Sequence, residues 1–122
     1  MAWKKASPEL GEMMAEALTP FPAQRRVMFG SPCWFVNGNM FAGVHQDRLF
    51  MRLPAIEQQE LFAATDEAAP FEPLPGRVMK DYVALPETFF ENGEELRQWL
   101  GRSYRWTSSL PPKEPKVRAK KQ

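Results

Sequence analysis

A thiol beside an imidazole can make a nucleophile and its base, and this 122-residue chain has one of each, Cys33 and His45. Asn37-Gly38 between them is a strong hairpin signal, because a type I′ turn needs positive φ at both central residues. A two-residue loop there pairs Val36 with Asn39 and Cys33 with Ala42. Strand side chains alternate faces, so Cys33 shares a face with Phe35, Met40, Ala42 and Val44, and His45 lies with Trp34, Phe41 and Gly43. In that register the pair cannot meet unless a bulge intervenes, and no catalytic residue is expected. Cys33 reads as a small buried hydrophobe, and His45 as a strand-end residue facing water.

Other chemistry is equally thin. One cysteine and one histidine give no metal-ligand cluster at any recognised spacing. Gly30, Gly38, Gly43 and Gly76 are isolated punctuation, not a phosphate loop. The expectation is a chain without cofactor or metal. Acid–base work by two carboxylates needs a convergence that only a fold supplies, and the sequence leaves that alternative open.

Binding surfaces remain. On the regular hairpin register one sheet face carries Trp34, Phe41 and Phe50 together with Arg48 and Arg52. Either loops or the proline-rich segment cover these aromatics, or they form an association surface, most simply of a homodimer. The second candidate is basic. Residues 111–122 hold Lys113, Lys116, Arg118, Lys120 and Lys121 against Glu114, a net +4, whereas residues 1–110 hold 11 basic and 14 acidic groups, a net −3. Such a tail reads as a solvated, disordered end, or as a weak phosphate contact that Arg97, Arg102 and Arg105 would extend.

The elements that must position these residues follow from periodicity and punctuation. Ser7-Pro8-Glu9 starts a helix striped by Leu10, Met13, Met14, Ala17 and Leu18, stopped at Thr19-Pro20. From Arg25 to Leu53 the period is two, broken at Gly30-Ser31-Pro32, Asn37-Gly38 and Gln46-Asp47, which predicts an antiparallel meander. A short helix over 54–64 follows, apolar at Ile56, Leu61 and Phe62, then a brief strand near Phe71 and another over Met79–Leu85. Asn92-Gly93-Glu94-Glu95 resembles a capping box opening a last helix, buried along Leu96, Trp99, Leu100, Ser103 and Thr107. The fold class is α+β: a two-layer arrangement with an antiparallel sheet and helices on one face, ordered α-β(3–4)-α-β(2)-α.

Length and composition fit one domain over residues 1–110 with a tail over 111–122. A hydrophobic content of 43% and a charged content of 25% are those of a folded chain, and no stretch is long and apolar enough to span a bilayer. Met1-Ala2-Trp3-Lys4-Lys5 runs into Ser-Pro-Glu with no apolar stretch, so no signal peptide is expected. A lone cysteine suits a reducing compartment, and the expected location is cytoplasmic.

Several segments together resemble a known family. Met28-Phe29-Gly30, Val36-Asn37-Gly38-Asn39-Met40-Phe41-Ala42 and Asp47-Arg48-Leu49-Phe50-Met51-Arg52 are similar to the N-terminal domain of the TfoX/Sxy family. Pro70-Phe71-Glu72-Pro73, Asp81-Tyr82-Val83-Ala84-Leu85-Pro86 and Glu95-Leu96-Arg97-Gln98-Trp99-Leu100 fall where that family has similar text. Ser109-Leu110-Pro111-Pro112-Lys113 resembles the ending of its short, stand-alone members, so the likeness spans about residues 7–112. It implies a two-layer α+β domain similar to secretion chaperones. Full-length members regulate natural competence with a catabolite activator protein and carry a second, helical domain; fold likeness alone does not transfer that role. The expected function is a non-enzymatic regulatory or protein-interaction module. The alternative is a nucleic-acid-binding accessory protein that uses the tail and the helix arginines.

Overall fold

The computed structural model describes residues 8–28 and 30–112. Helix α1, Pro8–Ala17, buries Leu10 and Met14, while Met13 of the expected stripe stays partly exposed. A four-stranded meander follows: β1 Gln24–Met28, β2 Ser31–Val36, β3 Asn39–His45 and β4 Arg48–Arg52. Helix α2, Ala55–Ala64, leads to β5, Ala69–Leu74, and β6, Arg77–Pro86. One turn of 3-10 helix, Glu87–Glu91, precedes α3, Gly93–Ser109. All pairings are antiparallel in one six-stranded sheet of order β1-β2-β3-β4-β6-β5. The architecture is the expected α+β one.

Local chemistry accounts for most of these boundaries. Asn37 and Gly38 have φ of 53° and 80°, as a type I′ turn requires. Gln46, with φ 58°, takes the left-handed position of the next two-residue turn, so His45 pairs with Arg48. The capping box does not form: Asn92 precedes α3 without a side-chain cap, although its carbonyl accepts the Leu96 amide at 2.9 Å. Helix α2 buries only Leu61; Ile56 and Phe62, expected inside, are exposed.

The main departure is in β2–β3. Val36 pairs with Asn39 as expected and Phe35 with Met40, but Trp34 then faces Ala42 and Cys33 faces Gly43. Phe41 is therefore the extra residue of a β-bulge. Taken from β4, the ladder keeps Ala42 and Val44 on the expected helix side, while Met40 and the β2 residues Cys33, Trp34 and Phe35 change faces. Phe41 and Ala42 both turn toward the helices, which a strict period of two forbids.

Two apolar clusters result. Under α1 and α3 lie Trp34, Phe41, Val44, Leu49, Met51 and Leu85, closed from above by Leu10, Met14, Leu96 and Leu100. The other face gathers Cys33, Phe35, Met40, Phe50, Phe71, Tyr82 and Ala84, all from strands. Among the described residues no helix contributes to it. Phe71 reaches over the small Ala84 to stack on Phe50 at 4.2 Å, and Phe50 meets Tyr82 edge-on at 5.9 Å. The bulge is held from both sides: the Tyr82 hydroxyl donates to the Met40 carbonyl at 2.9 Å, and the Ser103 hydroxyl of α3 donates to the Phe41 carbonyl at 3.0 Å.

Candidate functional site

The bulge brings Cys33 and His45 to the same face after all, a correction to the regular register. It does not make them a dyad. The Cys33 sulfur and the Phe50 ring converge above Gly43: a β-carbon built there would lie 3.0 Å from Sγ and 2.5 Å from Phe50 Cζ. Burial pushes the thiol up to about 11, against a small opposing effect of the Met28 backbone. His45 is not water-facing as expected but 5% exposed, edge-on to Phe71 at 5.6 Å, and burial lowers its pKa despite the nearby Asp47. A working thiolate–imidazolium pair needs both shifts in the opposite direction. Cys33 is a buried hydrophobe, as its sequence position suggested. Among the described residues no cluster of three or more His, Cys, Asp or Glu could hold a metal.

The aromatic face expected from parity is not assembled. Trp34 and Phe41, 5% and 0% exposed, belong to the helix side, where Phe41 meets Tyr104 of α3 edge-on at 5.3 Å. Phe50 does lie on the other face, but at 1% exposure it is sealed by Phe71 from the proline-rich segment. Arg48 and Arg52 occupy opposite ends of β4. Arg48 is exposed. Arg52 is half-buried, 3.4 Å from Asp81 and between the rings of Tyr82 and Trp106 at 5.5 and 5.7 Å. The physical reason is the single extra residue at Phe41, which reverses the face of everything before it in the hairpin.

The helix arginines lie together on one surface. Arg97, Arg102 and Arg105 line one open depression of about 790 Å³ on α3, with Phe21 and Trp99 at its apolar side. Arg97 and Arg105 are exposed; Arg102 is engaged, 2.8 Å from Glu60 and 4.6 Å above the Trp99 ring. Glu60 and Glu95 share the depression, so its charge is mixed. Lys113, Lys116, Arg118, Lys120 and Lys121 lie outside the described residues.

A surface that the sequence did not single out lies at the sheet margin. Strand β1 pairs with β2 over five consecutive positions, Gln24↔Phe35 to Met28↔Ser31, and among the described residues no strand pairs with its other side. Four of its five residues are exposed, including Val27 at 72%. Arg25 lies over Trp34 at 5.3 Å, and Arg26 over Phe35 at 4.9 Å. Trp34 and Phe35 belong to opposite faces, so the two guanidinium groups flank the margin on both sides. The available signal was the order of the meander: its first strand has only one sequence neighbour to pair with.

The TfoX N-terminal domain model matches residues 16–106, from within α1 to within α3, and thus the whole sheet. The chain belongs to the TfoX N-terminal domain family. That family is not a known enzyme family. A search of curated proteins found no match to the chain. No helix of the described residues is long and apolar enough to cross a membrane. Membership accounts for the sheet and its helices; any role rests on the surfaces just described.

Proposed function

We propose that this TfoX-N domain is a non-enzymatic protein-interaction module with a regulatory role. The observation that supports it is the open outer side of β1, an exposed backbone edge with ordered arginines on both faces. Such an edge binds through main-chain hydrogen bonds, with side chains supplying selectivity. The reactive side chains, by contrast, are withdrawn: Cys33 is fully buried and its thiol is held protonated. A homodimer through Trp34, Phe41 and Phe50 is not part of this reading, because those rings lie inside the domain.

The test is affinity capture of the full chain from its native cells, followed by reconstitution with the purified partner and light scattering. A protein complex of defined stoichiometry is the expected result. Recovery of nucleic acid alone, lost on nuclease treatment, would overturn it. That outcome belongs to the second reading, an accessory nucleic-acid binder using Arg97, Arg102 and Arg105 with the basic tail. One observation favours it, the convergence of the three arginines on one depression. It predicts an affinity falling with salt at a log–log slope of roughly 0.7–0.9 per phosphate contact, measured by mobility shift. Glu60 and Glu95 in the same depression, and the net −3 over residues 1–110, weigh against it.

A further inference from the structure

We infer that the outer side of β1 takes an acidic, extended segment of a partner protein as a seventh strand of the sheet. This rests on the protein-interaction reading and names the chemistry of the partner.

The two margins of the sheet are treated differently. At one end β5 carries Pro70 and Pro73, and its pairing with β6 slips twice, both devices that stop a further strand from adding. At the other end β1 has no proline, and its five pairs with β2 run without a slip. That leaves a regular backbone template about 17 Å long, whose outward amides and carbonyls need partners from water or from another chain. Val27, almost bare to solvent, adds an apolar foothold.

Charge selects the occupant. A strand added beside β1 presents side chains to both faces of the sheet, and each face already holds an arginine against an aromatic ring. Glu12 approaches Arg25 at 3.8 Å, but both side chains are well exposed, so this pair is weak and replaceable. The segments of this chain outside the described residues have the wrong sign: Lys4 and Lys5 at one end, five basic residues against one acidic at the other. A second copy is also disfavoured. The antiparallel register that pairs all five β1 residues sets Arg26 against the Arg26 of the copy. The same charges that reject a copy welcome a strand carrying glutamate or aspartate on both faces.

A fluorescent peptide of about nine residues built on a repeated Glu-Glu-Val-Val pattern, which places glutamates on both faces of a strand, is the probe, titrated into the full chain and read by anisotropy. Two comparison peptides carry lysine for glutamate, or the same acidic sequence N-methylated at every residue so that neither edge can pair. The acidic peptide is expected to bind at least about tenfold more tightly than either. R25E/R26E should reverse the preference between acidic and basic peptides. Hydrogen exchange of the unaltered chain should show protection gained in β1 and not in β5, which decides the matter even if the double variant fails to fold. Equal binding of the N-methylated peptide would mean charge adsorption only and overturn the proposal. So would protection appearing at α3 instead of β1, or no preference among the three peptides. A defined protein partner that binds while these tests fail would sink strand addition and leave the interaction reading standing.

Discussion

Gly43 shows how tightly single atoms are constrained in the strand-only cluster. A methyl group there would meet Phe50 at 2.5 and 2.9 Å and the Cys33 sulfur at 3.0 Å. Phe50 cannot swing away, since Phe71 is stacked on it at 4.2 Å. Gly43→Ala should therefore destabilise the domain by about 1–3 kcal/mol in denaturant unfolding, as overpacking does. Phe50→Leu in the same chain should return part of that loss, a coupling that a double-mutant cycle measures. Cys33 itself should resist labelling. Burial raises its pKa to about 11, so the thiol is protonated at pH 7 and shielded as well. Rapid reaction with a disulfide reagent in the folded state would contradict this, and Cys33→Ala should cost no more than about 1 kcal/mol.

Strands β2 and β3 owe their joint geometry to one bulge fastened by two hydroxyls. Tyr82 from β6 and Ser103 from α3 bind the carbonyls of Met40 and Phe41, adjacent residues reached from opposite faces. Tyr82→Phe and Ser103→Ala should each cost about 1–3 kcal/mol, because each leaves a buried carbonyl without its partner. Tyr82 also sets an alkaline limit. Burial raises its phenol to about 12, so its contribution is intact below the unfolded value near 10 and is lost as pH rises through the folded one. Thermal melts from pH 9 to 12 should show that decline, reduced in Tyr82→Phe. The bulge is also where sequence reasoning stopped being sufficient. Turns, strand order within the meander and the buried stripe of α3 were legible, because Asn37-Gly38, Gln46-Asp47 and the spacing Leu96, Trp99, Leu100, Ser103, Thr107 are local signals. Phe41 turning inward was not, since what holds it comes from residues 82 and 103. A hint existed: all seven residues of β3 are buried, and its near-continuous apolar text suits a strand covered on both faces more than one alternating toward water. The open margin at β1 was legible only in part: the meander order leaves its first strand one sequence neighbour, but that it stays at the margin depends on β6 and not β1 filling the slot beside β4.

For the molecule as a whole, acid stability should be governed in part by His45. Its folded pKa lies below the ordinary value near 6.5, so the neutral ring is the folded form. The unfolded chain then binds the proton more readily, and stability present above about pH 6.5 is lost as pH falls through the folded value. The melting temperature should drop between pH 7.5 and 5.5, and His45→Gln should flatten that part of the curve. The basic residues beyond Pro112 should matter little to folding: truncation there keeps the Asn39–Pro111 bond at 3.1 Å and should move the melting temperature by no more than a few degrees. Because β6 lies between β4 and β5, the sheet closes in two unequal steps. Two-residue turns bring β2, β3 and β4 together at once, whereas Arg52 meets Tyr82 only after 30 further positions have been synthesised and folded back. The longer closure is the slower one. Until it happens, Phe35, Met40 and Phe50 stand on a wet sheet face with neither Phe71 nor Tyr82 to cover them. A nascent chain paused in that interval is the species most prone to aggregate, and the one a chaperone would have reason to hold.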